Sequence, residues 1–133
     1  MSSIFTKILK KEIPGEIVYE DNDFFAILDI KPTSPGHVLV MPKKEYEDLH
    51  SMNSNEAGEY FKVVQKIANK MKESLDCKAI NIGMNNGKEA GQIVFHAHIH
   101  IIPRYEEKEN INWDGKEYSS KEEMQEYAKK IRF

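Results

Sequence analysis

Sulfur chemistry is almost missing from this chain: 133 residues hold one cysteine, Cys77. A lone thiol closes no internal disulfide, which sets the expectation of a reducing, cytoplasmic compartment. Long apolar runs are missing too. None approaches the roughly 20 residues that cross a bilayer, so no membrane partner is expected. The opening MSSIFTKILKKEIPGE places its basic residues after a short apolar patch and offers no small-residue cleavage site, so it reads as a poor secretory signal. Charge of one sign is absent as well. Lys and Arg number 19 against 22 Asp and Glu, a net of -3 with no basic block, and a nucleic-acid groove is not expected. The length suits one hydrophobic core and is too short for two. A hydrophobic share of 40% beside a charged share of 31% predicts a well-solvated surface.

What is present is mostly short and strand-like. EIVYE (16–20) and FFAIL (24–28) flank Asp21-Asn22-Asp23, a turn-forming cluster that predicts a hairpin. In DIKPTSPG (29–36) two prolines and a glycine exclude helix and predict a rigid loop, and HVLVMP (37–42) reads as the next strand. One long helical pattern follows over 54–75, where Ala57, Tyr60, Phe61, Val64, Ile67, Ala68, Met71 and Leu75 form one apolar stripe. Asn53 with Glu56, or Ser54 nearby, supplies the N-terminal cap. AINIGM (79–84) and IVFHAHIHII (93–102) read as strands joined by NNGKEAGQ. Three strands, a helix and two strands with short connections predict an α+β fold, an antiparallel sheet of about five strands carrying one main helix. Beyond Pro103 come the charge run RYEEKEN, the turn-rich INWDGKEY with the sole tryptophan, and a C-terminal helix capped by Ser119/Glu122 or Ser120/Glu123. Met124, Tyr127, Ala128 and Ile131 share that helix's apolar face. The division expected is a main domain over 1–110 and a tail over 111–133, its helix packed on the same domain or on a partner copy.

The chemistry is concentrated in IVFHAHIHII. His96, His98 and His100 alternate with Ala97, Ile99 and Ile101. In a strand this puts three imidazoles on one face, about 6.5–7 Å apart, with Phe95, Ala97, Ile99 and Ile101 packed beneath the helix. Three readings compete: a fortuitous cluster, a His-x-His metal site, and nucleophilic catalysis in which one neutral imidazole attacks while neighbours hold its tautomer. The approach to the strand favours the third. Gly87 and Gly91 allow backbone N–H groups close to an anion, and Gln92 adds a side-chain donor, so phosphorus is the electrophile such a cradle suits.

HAHIHII resembles the signature of the histidine triad family, and IFTKILKKEIPGEIVYED, FFAILDIKPTSPGHVLVMPKK and NNGKEAGQIVFHAHIHIIPR resemble segments of its Hint branch, together covering about Ile4 to Arg104. The resemblance implies the histidine triad fold and a homodimer whose sheet continues across the interface. It also implies hydrolysis of purine nucleoside 5′-phosphoramidates, releasing AMP or GMP and an amine through a nucleotidyl-histidine intermediate, with no cofactor. His98 would be the nucleophile and His100 would contact the phosphate, with His96 and His37 completing the polar network. Asp29 would bind the ribose hydroxyls and Ile30 would touch the ribose through its backbone. Ile4, Phe5, Ile8, Ile27 and Leu39 would line the base slot. Asn85, Gly91, Gln92, Ile93 and Val94 would form the phosphate-side loop.

Three departures bear on this. Position 93 is often a hydroxyl residue in the family, and Ile93 offers only its backbone. Pro103-Arg104 is similar instead to the dinucleoside-polyphosphate hydrolase branch, Fhit, which keeps that activity open as an alternative beside a non-catalytic nucleotide-binding scaffold. Some bacterial relatives carry a Cys-x-x-Cys pair that binds structural zinc with two histidines. Here Ser3 and Thr6 stand at those places, and their hydroxyls, even with His96 and His50, fall short of a zinc shell. No metal is expected. In the Hint branch the C-terminal segment reaches the partner's site, so truncation after Tyr105 is expected to alter substrate preference more than stability.

Overall fold

A computed structural model describes residues 2–106 and 113–133. Helix α1 (Ile4–Leu9) leads into β1 (Ile17–Glu20), β2 (Phe24–Leu28) and β3 (Val38–Pro42), then α2 (Ser54–Ser74), β4 (Ala79–Gly83), β5 (Ile99–Arg104) and α3 (Lys121–Ile131). The five strands make one antiparallel sheet in the order β1-β2-β3-β5-β4. The α+β arrangement expected from the sequence is therefore the one found. Asp21 makes the hairpin turn work: its Oδ1 accepts the backbone N–H groups of Asp23 and Phe24, both at 2.8 Å. Asn53 caps α2 by accepting the N–H of Glu56, and of the two candidate caps for α3 the chain uses Ser120, which accepts the N–H of Glu123. The short helix α1 was not legible as a helix, because six residues give too little periodicity to see.

Period-two alternation gives β2 and β3 two apolar faces, and β5 one. Ala26, Leu28, Val38, Val40, Ile99 and Ile101 point to one side, where Tyr60, Val64, Ile67 and Met71 of α2 and Ala128 and Ile131 of α3 cover them. The hydroxyl of the buried Tyr60 donates to the Val40 carbonyl at 2.5 Å. Phe25, Ile27, Leu39 and Met41 point to the other side, where Phe5 and Ile8 of α1 pack on them. The apolar stripe expected on α2 is narrower than its sequence. Phe61 is 56% exposed while Val63 is buried, since a helix resting on a flat sheet hides only the arc nearest to it.

The two edges of the sheet differ. At β1 the backbone N–H of Phe133 donates to the Val18 carbonyl at 3.0 Å, and Arg132 Nε donates to the Ile17 carbonyl at 2.9 Å. The Phe133 ring stands edge-on to Tyr19, with Lys70 Nζ 5.0 Å from its centroid. At the opposite edge β4 keeps Ile82 partly exposed.

Candidate active site

The site grows from the sheet face that carries α1. In register, His100 lies between Leu39 of β3 and Gly83 of β4, and residue 37, just ahead of β3, falls on the same side as residue 39. Only His100 of the histidine row belongs to a strand. The strand expected over 93–102 begins at Ile99, because the pairing groups beyond it are diverted. The Pro42 carbonyl accepts the His96 ring, and the N–H of Ala97 donates to Tyr46. Alternation still survives for the buried members: Ala97, Ile99 and Ile101 enter the core. Phe95, expected beneath the helix, is exposed.

Hydrogen-bond partners assign the tautomer of each ring. The N–H of Thr33 donates to His37 Nδ1 at 3.0 Å, so His37 carries its proton on Nε2. That nitrogen lies 2.9 Å from His100 Nδ1 and donates to it, which puts the His100 proton on Nε2. His96 is fully buried. Its Nε2 donates to the Pro42 carbonyl at 2.6 Å, and its Nδ1 faces the Ser3 hydroxyl at 2.5 Å. His98 Nδ1 lies 2.8 Å from the His96 carbonyl, and a carbonyl can only accept, so Nδ1 holds the proton. Among the described residues His98 Nε2 has no hydrogen-bond partner. It is the one unshared imidazole lone pair of the four.

Burial keeps these rings neutral. It holds His37 at about 3, with the neighbouring His100 and Arg104 adding to the effect, and His100 at about 4. His96 and His98 are also depressed, chiefly by burial. Asp29 lies beside this group, its Oδ2 3.7 Å from His37 Nε2. With His37 neutral this is not an ion pair, and burial pushes the Asp29 carboxyl up, opposed by the N–H of Lys31. Lys31 donates to Oδ1, which leaves Oδ2 to accept from an incoming hydroxyl.

Of the expected slot residues, Phe5, Ile8, Ile27 and Leu39 sit together in the buried cluster of this face, and Phe5 meets the His98 ring edge-on at 5.0 Å. Ile4 and Ile30 are exposed beside them. In the loop, Gly91 is left-handed at φ 95° and approaches the Asn85 amide. Val94 packs on the slot cluster. Ile93 is 87% exposed. Gln92 corrects one expectation, that its amide is a donor for phosphate. Its Nε2 donates to the Glu47 and Val94 carbonyls and its Oε1 accepts the N–H of Gly87, so the side chain staples the loop shut.

Trp113 lies over the far side. Its ring meets His100 at 5.3 Å between centroids and covers Gly83, where an added Cβ would stand 1.8 Å from the indole. Residues 113–118 cross the 29–36 loop: the N–H of Lys116 donates to the Pro32 carbonyl, and the N–H of Gly36 donates to the Tyr118 hydroxyl. Trp113 thus reaches the site of its own chain, where the sequence left a partner's site or its own domain open. The expected boundary at residue 110 lies outside the described residues.

Two places invite a metal, and neither fits one. Asp29, His37 and His100 bring ligand atoms within 4.8 Å of one another, but the inward nitrogens of the two histidines are bonded to each other. At the corner of Ser3 and Thr6 the hydroxyls are engaged by His96 and Glu45. Hydroxyls are poor zinc ligands beside thiolates. Three positions that shape the site were not legible in the sequence: Thr33, Gly83 and Glu45. Each acts through a partner far along the chain or through its backbone.

Residues 10–107 match the HIT domain. A curated HIT-like protein of Methanocaldococcus jannaschii is 48% identical over 77% of this chain and 79% of its own length. Adenylylsulfatase HINT3 of Arabidopsis thaliana is 39% identical over 77% of this chain and 52% of its own. Among solved structures, a zinc-bound histidine triad family protein from Mycobacterium smegmatis superposes with a TM-score of 0.87 at 34% identity, covering 99% of this chain and 91% of that one. A histidine triad nucleotide-binding protein from Sulfolobus tokodaii does so at 0.86 and 35%, covering 96% and 88%. Sequence, fold and the placement of the histidines agree: the chain belongs to the HIT family.

Proposed function

We propose that this chain is a nucleotide-binding hydrolase that cleaves purine nucleoside 5′-phosphoramidates through a nucleotidyl-His98 intermediate. The observation that carries the reading is the unshared Nε2 lone pair of His98 on a neutral ring whose opposite nitrogen is held by the His96 carbonyl. Such a ring is a nucleophile at neutral pH without prior deprotonation. Nε2 attacks the α-phosphorus, the P–N bond breaks, and the amine leaves with a proton from water. A second water then cleaves the Nε2–P bond and releases the nucleotide. His100 presents an Nε2–H to the phosphate, and the His37 proton fixes it in that tautomer. Asp29 receives the ribose hydroxyls, and Phe5, Ile8, Ile27 and Leu39 take the base.

The similarity to an adenylylsulfatase supports one further substrate with the same α-phosphorus and a sulfate leaving group. The deciding measurement is nucleotide release from a panel of AMP-linked amines, adenylyl sulfate and diadenosine polyphosphates. The AMP-linked amines are expected to be cleaved fastest. His98→Ala is expected to lose several orders of magnitude in kcat while still binding AMP. Near-parental turnover in that variant refutes the mechanism.

The proposal includes a homodimer, supported by the open β4 edge and by Phe61 and Ile82, which line one shallow depression. Sedimentation at twice the 15.4 kDa chain mass tests it. It also includes a cytoplasmic location, supported by the lone, buried Cys77. No helix among the described residues is long and apolar enough to cross a membrane.

A further inference from the structure

The nucleophile's tautomer depends on one carbonyl, that of His96, and the backbone carrying it is not held by a strand. Residues 93–98 are irregular. Besides the bonds from the Ala97 N–H to Tyr46 and from Gln92 Nε2 to the Val94 carbonyl, the His96 ring anchors this segment next to His98. That ring is fully buried between the Pro42 carbonyl and Ser3, with Phe5 and Phe25 against its faces and edges. Its Nδ1 lone pair has a single donor, the Ser3 hydroxyl, 2.5 Å away and 93 residues distant in sequence.

The Ser3 proton has a rival destination, since Thr6 Oγ1 lies 3.3 Å from Ser3 Oγ. His96 Nδ1, at 2.5 Å, is the nearer acceptor, and Glu45 holds the segment that carries the hydroxyl. Glu45 Oε1 accepts the Thr6 hydroxyl at 3.1 Å and the backbone N–H of Ser3. Through these two bonds the carboxylate fixes the start of α1, which carries Ser3, beside His96. Glu45 Oε1 itself is 4.0 Å from His96 Nδ1, too long for a hydrogen bond, and the bonds from Ser3 hold its carboxyl below the ordinary range.

We propose that Ser3, set by Glu45, is a positioning residue for the nucleophile: its hydroxyl proton locks the His96 ring, and the locked ring holds the His96 carbonyl against His98 Nδ1. Without that donor a buried imidazole nitrogen is left unsatisfied. The ring relieves this by exchanging tautomer or turning, and either change moves the carbonyl that keeps the His98 proton on Nδ1. Once His98 samples the other tautomer, its outward nitrogen carries a proton and cannot attack.

This rests on His98 as the nucleophile, so the test reads both the ring and the reaction. Ser3 is also the N-cap of α1, accepting the N–H of Thr6, and the variants must separate the two roles. Ser3→Gly is among the mildest replacements at an N-cap but removes the donor. Ser3→Thr keeps both. The expectation for Ser3→Gly is a kcat lower by about 10–100-fold, the scale of a misplaced reacting group, with KM for the AMP-linked amine little changed. Ring ¹⁵N shifts should show His98 as the pure Nδ1–H tautomer in the parent and as a mixture in the glycine variant. Ser3→Thr should restore both readouts. If the glycine variant does not fold, Ser3→Ala carries the same comparison. Unchanged His98 ring shifts in the folded donor-less variant overturn the proposal, as does a threonine variant as slow as glycine. If the parent protein hydrolyses nothing in the panel, the functional reading fails by itself, and the ring shifts still decide whether Ser3 controls His98.

Discussion

The two faces of the sheet solve burial in opposite ways. Under α2 and α3, the strands present Ala26, Leu28, Val38, Val40, Ile99 and Ile101, and Tyr60 brings a polar atom that is satisfied at once by a backbone carbonyl. On the side of α1, His100 of β5 is half-buried and His37 and His96 just outside the strands are buried, with Phe5 of α1 against His96. The first face holds the chain together by area removed from water. The second accepts buried imidazoles oriented by backbone groups, by one another and, at His96 Nδ1, by the Ser3 hydroxyl. The larger core and the candidate site thus occupy opposite sides of the same sheet, and each side is expected to respond separately to substitution.

The hardest test of that separation is Ile131→Ala. This side chain is fully buried at the end of α3, and its removal should cost about 2–5 kcal/mol in urea denaturation while kcat of the folded fraction stays at the parental value. The same burial corrects the expectation for truncation after Tyr105. Loss of Ala128 and Ile131 from the core makes destabilisation the main effect, ahead of any change in substrate preference. A truncated chain with parental stability would erase the distinction between the faces.

Acid comes next. His37 and His100 titrate at about 3 and about 4 in the folded chain, below the ordinary value near 6.5. Between those limits the unfolded chain binds protons that the folded one does not. The contribution is therefore complete above pH 6.5 and is lost as pH falls toward 4. The urea midpoint should decline over that range, and less steeply in His37→Asn. The buried cluster of the helix-covered face adds nothing to this slope, because it holds no histidine or carboxylate. An identical slope in His37→Asn would remove the site face from the account.

The smallest effect belongs to the indole over His100. Trp113→Ala should leave thermal stability nearly unchanged and alter the relative rates for bulky and small leaving groups by a few fold, the scale of one apolar contact. Unaltered ratios across the panel would make Trp113 a bystander to the chemistry.

How much of this was legible in sequence follows the range of the forces. Hairpin, helix and caps depend on neighbours within four residues, and Asp21, Asn53 and Ser120 act where local rules put them. The alternation of Ala97, Ile99 and Ile101 was readable because strand period is local too. Irregular backbone at 93–98 was not, since it arises when the Pro42 carbonyl accepts a ring 54 residues away. Phe61 misled for the same reason: periodicity reveals a stripe but not the width of the surface that will meet it. The histidines announced themselves by type and spacing. The groups that orient them, a Thr33 amide, a Ser3 hydroxyl and a Glu45 carboxylate, have no signature of their own and become visible only when the chain has folded.

The covering of β1 by Arg132 and Phe133 has a consequence for assembly. In the polymer chemist's sense, a sheet with two free edges is a bifunctional monomer, able to grow into a ribbon of any length. Among the described residues this one has a cover at β1 and none along β4. In the dimer proposed above, two copies joined through β4 would present only the β1 edges, covered at Ile17 and Val18, to a third, so assembly would close at two by valence rather than by affinity.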